Sequence, residues 1–530
     1  MILVLVIQVI FWLLVFGVGY ELCNKFYKPF SGISFLEKVS FSSVTVIILL
    51  ASTGIVLSLL PFELKIYLGK FVMAAAILYG LVKISLRKYS GITKVELVAT
   101  FGTVLLAVFA VALTFLDVPI PPNLPDGAYV IKTDIQAVRI QRLAGDMPID
   151  NAIPHVVAEF LFRGIDFREV RPILPGQDVT NRPIIVSLVV QPIFALFSSF
   201  VVPLSNVPTF EYVGSTWPDF SIFLNEEIFW LISLSLGCLL NALVFLGAST
   251  FFIRSKNFDV PACLIILCLV LTSGYFMIQT FFTWPKGLAA FFLLLAFSIL
   301  SKSDERSYSV VGVLYGLAYL SHPSSIIFFV SFLVWSIFKY IKQPSVKNHL
   351  ISASQVCIGF LVTVPWFIWV YFYLGSNSDL IAQNLRLGTA LTADFYWVRI
   401  VNFYNLIFPH FLSIWPFHFD RFMRSSFVNL PGALGILTYF VLIAAAVKSE
   451  TRRLPAIFFL GGLPFLLITL VFSYPAVPGM MGLQGLFMLM LFYAVIWGRN
   501  NISKKLFSAI FSVQLGANIL LMSAYVWKLL

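Results

Sequence analysis

Charge is what this chain has least of. Only 11% of its 530 residues are Asp, Glu, Lys or Arg, where a soluble domain carries about 25%. With 60% hydrophobic residues, it lacks the polar surface to cover a water-soluble globule, which excludes that class. Cysteine is also scarce. The five residues Cys23, Cys238, Cys263, Cys268 and Cys357 form no CxxC pair, so neither a disulfide framework nor a zinc site is expected. No glycine-rich phosphate loop and no βα alternation is present, which argues against a nucleotide-binding fold. Met1–Tyr20 has no basic leading region and no small-residue cleavage site, so it reads as a retained span, not a signal peptide. There is no internal repeat and no low-complexity tract.

What the chain does have is long apolar runs. A helix crosses a hydrocarbon core of about 30 Å with about 20 residues. On that rule the sequence predicts an all-α polytopic membrane protein with about 14 transmembrane helices. The first four lie at about 2–20, 42–61, 66–83 and 97–116. After a long polar stretch come about 227–253, 259–281, 285–300, 308–321, 324–341, 351–374, 430–448, 454–472, 478–497 and 504–527.

The formal net charge of +11 reports topology, and nucleic acid is not expected as a partner. Lysine and arginine collect in alternate loops: Lys25, Lys28 and Lys38; Arg87, Lys88 and Lys94; Arg254 and Lys256; Lys302 and Arg306; Lys339, Lys342 and Lys347; Lys448, Arg452 and Arg453; Arg499, Lys504 and Lys505. The intervening turns Thr283–Pro285, Ser321–Ser324 and Tyr474–Pro478 have none. By the positive-inside rule the first set is cytoplasmic. Lys65 and Lys70 are the exceptions. Two large loops, about 117–226 and 375–429, then fall outside. The first is structured: Ile135, Val138, Ile140 and Leu143 alternate with Arg139, Gln141 and Arg142 at helical spacing. Residues 184–204 are apolar enough to span, yet both flanks belong outside, so they predict an interfacial or re-entrant helix.

The outer loops hold the candidate chemistry. Carboxylates beside arginines next to lipid suit a charged lipid headgroup. Arginine grips phosphate oxygens bidentately, and a carboxylate can take the proton of an attacking hydroxyl. Paired surface charges of no function are the competing reading, since structural ion pairs also gather in such loops. Ionisable residues at mid-depth and discontinuous helices, the marks of transporters, are not evident.

Several phrases then resemble one family. Thr133-Asp134-Ile135-Gln136-Ala137-Val138-Arg139 leads through Arg142 to Gly145-Asp146-Met147-Pro148. Asn181-Arg182-Pro183 precedes the apolar stretch to Leu204. Thr283-Trp284-Pro285-Lys286-Gly287-Leu288 opens a span, and Gly316-Leu317-Ala318-Tyr319-Leu320-Ser321-His322-Pro323 closes one. In order and placement these resemble the GT-C superfamily of membrane glycosyltransferases, in particular the protein O-mannosyltransferase and lipid A aminoarabinose transferase branch. The resemblance covers 96–530 and leaves 1–95 as N-terminal extra transmembrane helices. It implies a GT-C-type bundle whose first outer loop carries juxtamembrane helices. It also implies an inverting, metal-independent enzyme without cofactor, in a bacterial inner (plasma) membrane with the active site facing outward. Such an enzyme moves sugar from a polyprenyl-phosphate-linked donor to an acceptor glycan, lipid or protein.

On that resemblance Asp134 matches the catalytic base, against a reading as a first-turn helix acid. Many members have two adjacent acidic residues there, and here Ile135 follows. Asp126, in a Pro-Asp-Gly turn, is therefore the rival. Arg139, Arg142, Arg182 and Lys286 are the candidates for holding donor phosphate. Solvated-face arginines and an anchoring lysine at the outer membrane edge are the alternatives. His322, His155, Glu159 and Arg386 are candidates for lining the substrate cavity. The i, i+4 spacing of His155 and Glu159 could serve a metal, but no third ligand is evident, and none is expected. Asp146 and Asp150 flank a turn, and His410 and His418 lie in an aromatic belt; both pairs read as structural. Alternative functions are a transporter or flippase, or a polymerase or ligase, of lipid-linked saccharides. The topology is tested at Gln177: a Gln177→Cys variant is expected to react with an impermeant maleimide in intact cells, and protection would move the loop to the inside.

Overall fold

The computed structural model describes residues 1–26, 33–87, 91–115, 153–168, 179, 183–198, 209–212, 215–218, 227–281, 284–300, 308–330, 346–375, 435–447 and 484–526. The expected span 454–472 and the second outer loop beyond Gly375 lie outside these residues. The described chain is overwhelmingly helical, and six helices are long and apolar enough to cross a membrane. This is an integral membrane protein.

The first four spans are α1 (Ile2–Lys25), α2 (Phe35–Ser58), α3 (Phe62–Leu86) and α4 (Lys94–Thr114). Their starts are written locally. Ser34 and Thr93 each accept from the backbone N–H three residues on, while Glu37 and Glu96 reach back to the cap N–H. These are two capping boxes, which satisfy donors that a helix start leaves open. The chain then forms two shorter helices, α5 (Ile153–Arg163) and α6 (Ile185–Phe197), in the stretch expected to be the first outer loop. A small antiparallel hairpin follows, β1 (Thr209–Tyr212) with β2 (Ser215–Pro218). It departs from the purely helical expectation and has Tyr212 opposite Ser215. At 13 residues, α6 is about 20 Å long, too short to span, in line with its reading as a helix that does not cross.

Next come α7 (Glu227–Phe252), α8 (Val260–Thr272), α9 (Gly274–Phe281), α10 (Lys286–Leu300) and α11 (Tyr308–Ser321). The last four are α12 (Val346–Ile368, with a π-helical end Trp369–Tyr373), α13 (Gly435–Val447), α14 (Gln484–Asn501) and α15 (Lys504–Val526). Here the sequence reading needs correction. The single span expected at 259–281 is broken: α8 and α9 meet at an angle of 76°. A discontinuous helix is therefore present. Ser273 is extended at the break (ψ 115°). The described parts of α10 and α11 hold 15 and 14 residues, about 22 and 21 Å.

Contacts sort the helix ends as the charge alternation requires. At the lysine- and arginine-rich end, Arg254 reaches Glu37 at 3.3 Å, Leu36 N–H donates to Glu96 at 3.1 Å, and Arg499 grips the α8 cap Asp259. At the other end, Lys65 of α3 meets α5, Ser233 of α7 meets His155, and Tyr373 of α12 meets Asp166. One continuous apolar core runs from Val4 to Phe511 and includes residues of α1–α3. The N-terminal helices are thus packed into the body of the protein. Helix α6 lies against both α2 and α3. A Cβ on Gly54 would sit 2.0 Å from the Leu188 carbonyl oxygen, and one on Gly69 2.3 Å from the Ala195 Cβ. Glycine is required there by close approach. Gly54→Ala is expected to cost about 1–3 kcal/mol by overpacking against backbone, read as a lower unfolding midpoint in detergent. Gly516→Ala, whose methyl meets open space, should show no loss.

Candidate functional site

Helix α5 carries three ionisable residues one turn apart, and all three are buried. Glu159 Oε2 accepts from Arg163 Nε at 2.8 Å, and Glu159 Oε1 lies 3.9 Å from His155 Nε2. A buried carboxylate is tolerable only when paired and hydrogen-bonded, and the ladder supplies that. His155 Nδ1 also meets Ser233 Oγ at 2.9 Å, which anchors α5 to the first turns of α7. The ring edges of His155 pack on Phe194 and Trp230. The sequence reading singled out His155 and Glu159 for their spacing but missed Arg163, although it sits at the next i+4 position.

The C-terminus of α5 is held by a lysine from a helix nearly a hundred residues earlier. Lys65 Nζ donates to the carbonyls of Leu161 at 2.6 Å and Phe162 at 2.9 Å. A cation there satisfies open carbonyls and the negative end of the helix dipole. This explains why Lys65 broke the positive-inside pattern: the charge is buried as a cap. Gly164, with φ of +75°, ends the helix in the left-handed conformation that glycine adopts at little cost. Beyond it, Asp166 forks onto Arg168, whose guanidinium stacks over Tyr373 at 4.8 Å, while the Tyr373 hydroxyl donates to Asp166 Oδ1 at 3.3 Å. The Arg168 hydrogen bonds hold the Asp166 carboxyl down at about 2. Phe167 packs edge-on against Trp369. The first outer loop is thereby fastened to the end of α12 from which the second expected outer loop departs.

The second group lies at the turn between α9 and α10. Asn241 of α7 accepts from the N–H groups of Gly287 (3.0 Å) and Leu288 (3.3 Å), and donates to the Thr280 carbonyl (3.4 Å). One amide so serves the end of α9 and the start of α10. Asn241 stands 14 residues into the 26-residue α7, which fixes Lys286 beside the middle of that helix. The side chain of Lys286 is enclosed by protein at that level. It is 3% exposed, too buried to be a snorkelling anchor, because α10 starts that far along its neighbour.

Lys286 Nζ lies 5.0 Å from the Trp284 ring centroid, a cation–π contact, and His322 lies 4.8 Å from Trp284, ring to ring. The indole thus gathers the lysine and the histidine. His322 Nδ1 accepts from the Ser324 N–H at 3.3 Å and meets Ser324 Oγ at 2.6 Å. An Nδ1 occupied as acceptor puts the proton of the neutral ring on Nε2. Above the turn, a crevice bounded by Ile153, Pro154, Ile184, Ser187, Trp284 and Pro285 separates α5 and α6 from it. Its volume of about 10 Å³ takes about one water and no sugar.

Of the sequence candidates, the structure places Lys286 and His322 together on Trp284, and His155 and Glu159 in the α5 ladder. Asp134, Asp126, Arg139, Arg142, Arg182 and Arg386 lie outside the described residues, as do Asp146, Asp150, His410 and His418. Among the described residues no three His, Cys, Asp or Glu side chains converge to hold a metal. The sequence reading noted Lys65 only as an exception in charge placement and gave no role to Asn241 or to the Asp166–Arg168 fork; the partners of Lys65 and Asn241, and the Tyr373 that meets the fork, are distant in the chain. No known protein family, curated protein or solved structure matches this chain significantly.

Removing one member of the ladder strands its partner. Glu159→Gln is expected to lower stability by about 3–5 kcal/mol, the cost of an uncompensated buried charge, as read by thermal unfolding in detergent. Glu159→Met with Arg163→Met should recover most of it. A Glu159→Gln variant as stable as wild type would show that the ladder carries no such charge.

Proposed function

We propose that the protein is a membrane glycosyltransferase of the GT-C type, moving a sugar from a polyprenyl-phosphate-linked donor to an acceptor at the lysine-poor face. The observation that carries this reading is the gathering of Lys286 and His322 on Trp284, at a turn covered by outer-loop helices that are bolted to three separate spans. A buried ammonium beside a neutral imidazole N–H is suited to a phosphate leaving group, whose charge grows as the sugar departs. In this scheme Lys286 neutralises phosphate, and His322 donates through Nε2. Asp134, with Asp126 as its rival, takes the acceptor's proton, and Arg139, Arg142 and Arg182 add phosphate contacts. Those five roles rest on the family resemblance. The ladder of α5 has a positioning role, keeping the first outer loop over the turn.

A second reading draws on the broken α8–α9 span. Interrupted helices are a habit of transporters, where the freed backbone groups face a substrate. At that break the Ser273 N–H donates to the Leu269 carbonyl at 3.0 Å and the Ser273 carbonyl accepts from the Met277 N–H at 3.0 Å, so these groups are satisfied within the chain, which favours the enzyme. The test is transfer of radiolabelled sugar from polyprenyl phosphate by the purified protein in liposomes. Asp134→Asn is expected to lose at least 100-fold in rate and Lys286→Gln about 100-fold, with unfolding midpoints checked in parallel. Movement of an intact lipid-linked saccharide across the bilayer, with no donor consumed, would establish the transporter instead.

A further inference from the structure

The lysine-rich ends of α1, α2, α3 and α4 enclose a hollow of about 470 Å³, far larger than the crevice at the opposite end. Its wall includes Tyr20, Asn24, Lys38, Arg87, Thr93 and Glu96. The carboxylates around it are all engaged. Glu37 holds the Ser34 N–H and Arg254, Glu96 holds Thr93 and the Leu36 N–H, and Glu21 holds Arg87 and Lys83. Lys38 is half-buried, and among the described residues it pairs with no carboxylate; its ammonium stands 5.8 Å from the Tyr20 ring. Arg87 is stacked on the same ring at 4.3 Å and fixed by Phe16 O at 3.1 Å and by Glu21. The starts of α2 and α4 also border the hollow, each closed by its own capping box. In the sequence, 20–38 and 83–96 hold Lys25, Lys28, Lys38, Lys83, Arg87, Lys88 and Lys94 against Glu21, Glu37 and Glu96.

We propose that this hollow binds a phosphate group, with Lys38 supplying the uncompensated charge and Arg87 a pre-oriented guanidinium. A basic pocket between helix ends at the lysine-rich side is suited to an anionic lipid headgroup. A soluble phosphate monoester offers the same chemistry. The site is separate from the Lys286–His322 group, so it holds whether or not the protein transfers sugar.

The test is native mass spectrometry of the full chain in detergent, titrated with phosphatidylglycerol, phosphatidylcholine or, in a separate arm, glycerol 3-phosphate. Wild type is expected to prefer phosphatidylglycerol over phosphatidylcholine. Lys38→Gln is expected to reduce that preference about fivefold, the effect of one basic residue near a membrane surface, and Lys38→Arg to retain it. Glycerol 3-phosphate binding that depends on Lys38, without discrimination between the lipids, would make a soluble phosphate the ligand and still support the site. Two results overturn the proposal. One is binding of both phosphates unchanged in Lys38→Gln. The other is an equal loss in Lys94→Gln, an exposed residue, which would mean general surface charge.

Discussion

Inside a bilayer every backbone N–H and C=O must find a partner within the protein. A chain that breaks a span midway creates open groups where water cannot reach them. Asn241 answers that constraint for the α9–α10 turn. Its oxygen takes two N–H groups and its nitrogen gives to a carbonyl. The tight seat of Gly287 against α7, where a Cβ would fall 2.5 Å from the Asn241 carbonyl oxygen, keeps amide and helix start in reach. The location of Trp284, Lys286 and His322 follows from that one side chain. A polar residue deep in an apolar helix is here a structural bracket that sets where chemistry can occur.

The outer-loop helices show a comparable economy. Helix α5 is fastened at its start through His155 to α7, along its length by α6, and at its end by Lys65. The aromatic rings of Phe62, Phe162, Phe194 and Phe229 close the space between these elements, Phe194 and Phe229 stacked at 4.3 Å. Helices α5 and α6 are thereby held firmly against their neighbours. The Glu159–Arg163 pair of α5 is buried beside rings, so it defines a conformation more than it adds stability.

Much of this was legible in the sequence, and the limits have physical causes. The spans around α1–α4 and α7 were visible because apolar length and loop charge are local signals. The reading of 184–204 as a helix that does not cross came from topology alone, and the described helix there has 13 residues. The break at Ser273 has a local mark in the Ser273-Gly274 pair, but 260–281 holds no charge and is long enough for one span, so length outweighed it. Lys65 looked like an error in charge placement until its partners, the carbonyls of α5, were known. Within the site, Lys286 and His322 were singled out by their phrases, but Trp284, which joins them, was read only as part of a motif. The Glu159–Arg163 pair had the right spacing, and its burial is a property of the packed helices, which spacing cannot reveal.

The glycine notches of α2 and α3 bear on how the chain is made. The residues of α6 leave the ribosome after those of α2 and α3. Gly54 and Gly69 lie on those two earlier helices, so the notches that receive α6 exist before it is made. The order of synthesis and the order of packing thus coincide.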